Sequence, residues 1–237
     1  MKPTQVHLWQ IDLDATTAWP DDCLDVDERR RAASFRSELH RRRFIAAHLA
    51  LRHVLAHHTG TAAHALPLEA DERGKPRLPA SFGLHFNLAH SEQLALLALS
   101  AGAALGIDVE RIRTLGGHAG GTDASAREEL ALARRHFSAR EVKELQAIPA
   151  SPERTRAFFA AWTRKEAWVK AAGMGLRIDL RELETGLSGA RRVEAFLIQP
   201  VELPSPWAER GFLAALACGE EPVTLLMESY RAVPLSN

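Results

Sequence analysis

The sequence predicts a mixed α/β (α+β) chain, and three patterns carry that reading. Apolar or alternating segments of strand length open the chain, recur in its middle and close it. Between them lie longer segments whose apolar residues recur at helical spacing. Finally, Leu94-Ala95-Leu96-Leu97-Ala98-Leu99-Ser100-Ala101-Gly102 is echoed half a chain later by Phe212-Leu213-Ala214-Ala215-Leu216-Ala217-Cys218-Gly219. The echo hints at internal duplication, although apolar strands often look alike.

Residues 6–13 alternate apolar and polar and read as an opening strand. Asp25 or Asp27 can cap a long helix running to about His58, with a break near Ser37. Its apolar positions are Phe35, Leu39, Ile45, Leu49, Val54 and Leu55. Residues 71–83 hold glycine and prolines and read as loop, with Lys75 presented on it. Residues 86–88 and 94–99 form a hairpin around Ser91-Glu92-Gln93, and residues 105–109 form the next strand. The glycine-rich run 114–122 has no apolar periodicity and reads as a mobile loop without the lysine and hydroxyl of a P-loop. Helices are expected over 124–137, 139–148 and 152–172. Ser138, with Glu141 three residues on, makes a capping box for the second. Strands over 195–199, 212–218 and 223–229 close the chain.

A chain of 237 residues fits one large domain or two ordinary ones. Formal net charge is zero, which argues against general nucleic-acid binding. The charge is uneven, however. Residues 29–53 carry eight arginines (Arg29, Arg30, Arg31, Arg36, Arg41, Arg42, Arg43, Arg52) against one acid, Glu38, so the stretch reads as a local anion site or as a solvated helix face. Cys23 and Cys218 have no paired spacing, which argues against a disulfide framework or a zinc site. No apolar run reaches membrane length and the first residues lack a signal-peptide layout, so a cytoplasmic protein without a membrane partner is expected.

Two segments concentrate the chemistry. In Gly106-Ile107-Asp108-Val109-Glu110 the strand period of two puts Asp108 and Glu110 on one face, with Ile107 and Val109 on a buried opposite face. Acids at alternate positions are common on exposed sheet edges, yet two such carboxylates can also grip one hard cation. In Trp162-Thr163-Arg164-Lys165-Glu166-Ala167-Trp168-Val169-Lys170, Glu166 and Lys170 stand four apart on a helix and project together. Alone they could be an ordinary ion pair. Aromatic residues around them (Phe158, Phe159, Trp162, Trp168) imply a buried helix, where a lysine needs a partner such as a diphosphate.

These segments resemble the two signatures of the 4'-phosphopantetheinyl transferases of the surfactin-synthetase-activating (Sfp-like) type, G-I-D-x-E and W-[ST]-x-K-E-x-x-x-K. A third signature, G-K-P followed by F-N-x-S-H-S, is matched by Gly74-Lys75-Pro76 and Phe86-Asn87-Leu88-Ala89-His90-Ser91, with Ala89 in place of the family serine. The resemblance runs from about Val26 to Ser229. It implies a pseudo-twofold fold of two similar lobes, taken here as 1–104 (phosphate anchors) and 105–237 (metal-binding acids and catalytic helix), with the cofactor in the cleft between them.

The resemblance further implies that Asp108, Glu110 and Glu166 hold Mg2+ against the diphosphate of coenzyme A. Glu166 or Glu141 would take the proton of the acceptor serine, and Lys170 would balance charge on the leaving group. Arg43, Arg73, Lys75, Asn87, His90, Asp108 and Lys170 are the expected cofactor contacts, with Lys75, His90 and one or more arginines of residues 31–43 on the 3'-phosphate. The implied partners are coenzyme A and apo acyl, peptidyl or aryl carrier proteins, and a monomer is expected. Two competing readings use parts of the same set. A magnesium-dependent phosphohydrolase would need only water as acceptor, and a non-catalytic coenzyme A binding module would have no use for three metal carboxylates.

Overall fold

A computed structural model describes residues 4–15, 23–70, 76–115, 121–175, 178–219 and 223–230. The chain divides into two compact units, one of Gln5–Gly102 joined by the last strand from Leu225 on, the other of Ala103–Thr224.

The first unit is built on a four-stranded sheet. Its strands are β1 (Thr4–Asp12), β4 (Leu84–Ser91), β5 (Leu94–Ala101) and β10 (Val223–Tyr230), in the order β10-β1-β5-β4. A small ribbon, β2 (Glu69–Ala70) with β3 (Pro76–Arg77), lies apart from it. β5 is interior, antiparallel to both β1 and β4, and its residues Leu94–Ser100 are buried whichever face they point to, so it is nearly all apolar rather than alternating. The hairpin to β4 turns at Glu92, whose φ of 47° is left-handed. Odd-numbered residues of β1 and β5, such as Ile11, Leu97 and Leu99, pack with Ala50, Val54 and Leu55 of helix α2 (Glu38–Thr59).

The expected break in the long helix is real. α1 (Val26–Ala33) and α2 are separate, capped by Asp25 and Ser37, and Asp25 forms a reciprocal capping box with Glu28. Arg52 of α2, fully buried, donates to both acids at 2.7 and 2.6 Å and to the Ala63 carbonyl at 3.1 Å. The basic stretch is therefore not uniformly available to a ligand. Arg30 pairs with Asp27, Arg41 with Glu38, and Arg43 makes a bidentate pair with Asp14 at 2.8 and 2.6 Å. Most of these acids lie outside residues 29–53, so the stretch looked unopposed only in sequence.

The second unit pairs β6 (Leu105–Arg111), β9 (Phe212–Cys218), β8 (Phe196–Val201) and β7 (Arg191–Val193) in an antiparallel sheet, in that order. β9, the echo of β5, is likewise interior. Helices α3 (Gly121–His136), α4 (Ala139–Ala147) and α5 (Pro152–Ala172) complete the unit. α5 has the bounds expected, set by Ser151 as N-cap, Pro152 in the first turn and Gly173 in the left-handed conformation at its end. It packs Ala167 and Trp168 against Ala215, Ala217 and Ile198. A second cluster joins Phe137 and Leu145 to Phe158 and Phe159.

One boundary differs from expectation. The expected lobe of 105–237 includes the closing strand, but β10 lies beside β1 in the first unit's sheet, and His7 of β1 holds Glu228 of β10 at 2.8 Å. An apolar strand can complete either sheet, and its pairing partner is not written in its own residues.

Candidate active site

The side of β6 that carries Gly106, Asp108 and Glu110 is the side on which α5 lies. A Cβ built on Gly106 would fall 2.2 Å from the Ala167 carbonyl oxygen and 2.4 Å from the Ala171 nitrogen. Glycine is required here because strand and helix backbones meet directly. That approach brings Asp108, one strand repeat on, within reach of Lys170: the Nζ donates to Asp108 Oδ1 at 2.6 Å. Gly106→Ala should force the two elements apart and cost about 2 kcal/mol or more of stability. It should also lower turnover by withdrawing Lys170 from Asp108. Chemical denaturation and kcat measured on the same preparation check both effects; unchanged stability would show that the helix yields freely.

Asp108 is 6% exposed, and among the described residues its Oδ2 is buried without a hydrogen-bond partner. Burial pushes its pKa up to about 7, the Lys170 ammonium opposes this, and the charges of Glu110 and Glu166 add to it. Those influences put both glutamates within electrostatic reach of Asp108. Glu110 is steadied by Arg113 at 3.1 Å, and Glu166 is half-buried one helical turn before Lys170. Among the described residues the three acids do not bring one oxygen from each within 4.8 Å of the others. Asp108 is turned toward the lysine instead. An orphaned buried carboxylate oxygen with two further carboxylates near it nevertheless suits a hard cation, which prefers oxygen donors and repays the burial of negative charge.

The rest of the tryptophan-to-lysine segment fastens the helix. Arg164, 2% exposed, donates to the carbonyls of Thr185 and Gly189, and burial pushes its pKa down to about 10. Trp168 donates its indole N–H to the Val193 carbonyl at 3.2 Å. Lys165 is buried, donates to the carbonyls of Leu180 and Leu183, and pairs with Glu141 at 2.8 Å.

That pair corrects the reading of Glu141 as an alternative base. Its side chain is fully buried and accepts from the amides of Ser138, Thr185 and Gly186 and from the Thr185 hydroxyl, besides Lys165. Burial tends to raise its pKa, but Lys165 and these amides together hold it below the ordinary glutamate range. A carboxylate so saturated has no lone pair directed at a substrate. Its expected capping box with Ser138 is present, and this structural duty is the one it performs.

Of the expected cofactor contacts, Arg73 and Lys75 lie outside the described residues, as do residues 116–120 of the glycine-rich run. Asn87 is buried on β4, on the face away from α2, together with Ala89 and Ser91. His90, at the end of the same strand, is exposed. Arg43 meets Asp14 rather than an open surface, and that pairing holds Asp14 below the usual carboxylate range. The sequence reading passed over the structural roles of Gly106 and Lys165. A glycine inside a strand was the available signal for the first; nothing local marked the second.

Three carboxylates beside an ammonium, set on a strand and a helix that touch at a glycine, can handle a phosphate ester together with a hard cation, which is the equipment of an enzyme of phosphate chemistry. Residues 104–217, the segment that carries this centre, match the 4'-phosphopantetheinyl transferase superfamily. The chain is 37% identical over 190 residues to the 4'-phosphopantetheinyl transferase HetI of Nostoc sp. (strain PCC 7120), covering 78% of this chain and 75% of that protein. It is 31% identical to the 4'-phosphopantetheinyl transferase psf-1 of Bacillus pumilus, over 70% of this chain and 64% of the relative. With the 4'-phosphopantetheinyl transferase of Bacillus subtilis it shares 26% identity, over 76% and 71% of the two chains. The chain belongs to the 4'-phosphopantetheinyl transferase family and is an enzyme of that class. Among the described residues no helix is long and apolar enough to cross a membrane.

Proposed function

We propose that this enzyme transfers the 4'-phosphopantetheine arm of coenzyme A to a serine of an apo acyl, peptidyl or aryl carrier protein, in the manner of the surfactin-synthetase-activating type, and releases adenosine 3',5'-bisphosphate. The observation that carries the reading is the buried Oδ2 of Asp108, without a partner among the described residues, with Lys170 on the same carboxylate and the charges of Glu110 and Glu166 acting on it. In such phosphoryl transfers, positioning and charge neutralisation supply most of the rate. Asp108, Glu110 and Glu166 would hold Mg2+, which when bound neutralises charge on the diphosphate. Lys170, released from Asp108, stabilises the departing bisphosphate. Glu166, the half-buried acid on the helix, takes the serine proton directly or through water. The serine oxygen then bonds to the pantetheine-side phosphorus as the phosphorus–oxygen bond to the bisphosphate breaks.

Incubation with coenzyme A, Mg2+ and an apo carrier, followed by mass spectrometry, tests the reading. The carrier should gain one phosphopantetheine group. Cleavage of coenzyme A with no gain on the carrier would indicate a hydrolase, and binding without cleavage a coenzyme A module.

The anchoring residues give a separate expectation. Lys75→Ala and His90→Ala should raise the KM for coenzyme A more than they lower kcat, because a 3'-phosphate contact is the same in the ground and transition states. The wild type should discriminate against dephospho-coenzyme A, and both variants should lose much of that discrimination. Equal discrimination in variants and wild type would remove these residues from the anchor.

A further inference from the structure

Away from the acid centre, the first unit gathers a second set of donors. His7 of β1 and Glu228 of β10 stand on neighbouring strands, and His58 comes from the last turn of α2. One donor atom from each lies within 4.8 Å of the other two, and among the described residues no other group of three or more histidine, cysteine, aspartate or glutamate side chains converges this closely. The rings of His7 and His58 meet edge to face at 4.8 Å.

The hydrogen bonds already present prepare both rings for a metal. His7 Nδ1 lies 2.8 Å from Glu228 Oε1. An ionised carboxylate only accepts, so a neutral His7 ring turns its Nδ1–H to Glu228, and an ion that replaces this proton is held by Nδ1 and the carboxylate together. The indole N–H of Trp9, a donor only, points to His58 Nε2 at 3.3 Å, so that nitrogen carries its lone pair. This bond is long and is given up at little cost. His7 and Glu228 retain 32% and 35% of their side-chain exposure, enough for an ion to enter and for the rotamers to adjust.

We propose that His7, His58 and Glu228 form a binding site for one zinc-like divalent ion, separate from the acid centre. Two imidazoles and one carboxylate favour borderline ions such as Zn2+, Co2+ or Cu2+ over Mg2+, which prefers an all-oxygen set. Bonds of about 2.0–2.2 Å in tetrahedral geometry put ligand atoms roughly 3.4 Å apart, so the three donors close by up to about an ångström and a half on binding. Three protein ligands leave a fourth position for water or an outside ligand. Because the ligands come from β1, α2 and β10, the ion ties together elements of the first unit that lie far apart in sequence.

The test uses the untagged full-length chain, stripped with chelator and kept in saturating Mg2+ to occupy the acid centre. Titration calorimetry should show one Zn2+ bound per chain. His58→Gln and Glu228→Gln should each weaken that binding by about tenfold or more, while Asp108→Asn should leave it intact. Cu2+ bound to the wild type should show electron-spin-resonance coupling to two imidazole nitrogens, a readout that survives even if a variant fails to fold. Absence of Zn2+ binding under Mg2+, coupling to fewer than two nitrogens, or undiminished affinity in both variants would overturn the site.

Discussion

Replacing Asp108 with asparagine should remove nearly all turnover and at the same time make the metal-free protein more stable. The loss should be about a hundredfold or more in kcat, since the position supplies charge at the reacting phosphates. The gain follows from the raised pKa, about 7 against an ordinary 3.8. Between those values the folded chain binds a proton more tightly than the unfolded chain, so stability falls as pH rises through that window and the full penalty stands above it. Asparagine removes the penalty. Melting curves without divalent ions should therefore show the variant ahead at about pH 8, with the difference closing toward about pH 4. Mg2+ should raise the wild type more than the variant. A variant no more stable than the wild type at the higher pH would mean that Asp108 titrates as an ordinary carboxylate.

Glu141→Ala should be among the most damaging single changes in the protein, and the damage should be to folding. It strands the buried Lys165 ammonium, and removing one member of a buried ion pair costs roughly 3–5 kcal/mol. It also leaves the amides of Ser138, Thr185 and Gly186 without their acceptor. Glu141→Gln keeps the shape and part of the bonding, so it should fall between alanine and wild type. Urea denaturation of all three proteins measures this. A variant that folds with near-normal stability yet loses kcat a hundredfold would restore Glu141 to a chemical role.

Local features were legible in the sequence to the extent that their causes are local. The ends of α5 could be read because Ser151, Pro152 and Gly173 stop a helix by their own backbone preferences. The shared face of Asp108 and Glu110 followed from strand periodicity alone. The short β7 escaped notice because Arg191-Arg192-Val193 has no alternation to display, and it is a strand only because β8 lies beside it. The arginines of α1 and α2 looked unopposed because their acids, Asp14 and Asp25 among them, lie outside the stretch. Glu141 was open to a chemical role only through the family resemblance, and its lysine partner, on another helix, is not visible from its own neighbours in sequence.

The pairing of β10 with β1 also has a consequence for biosynthesis. A ribosome delivers β1 well before β10, with residues 103–222 of the other unit translated in between. The nascent first sheet must wait for that excursion with the outer edge of β1 bare, the condition under which strands recruit wrong neighbours. A circularly permuted gene that writes residues 223–230 ahead of β1, through a short linker, would let that sheet close in one continuous stretch of synthesis. Such a permutant should yield more soluble protein at high expression than the natural order does.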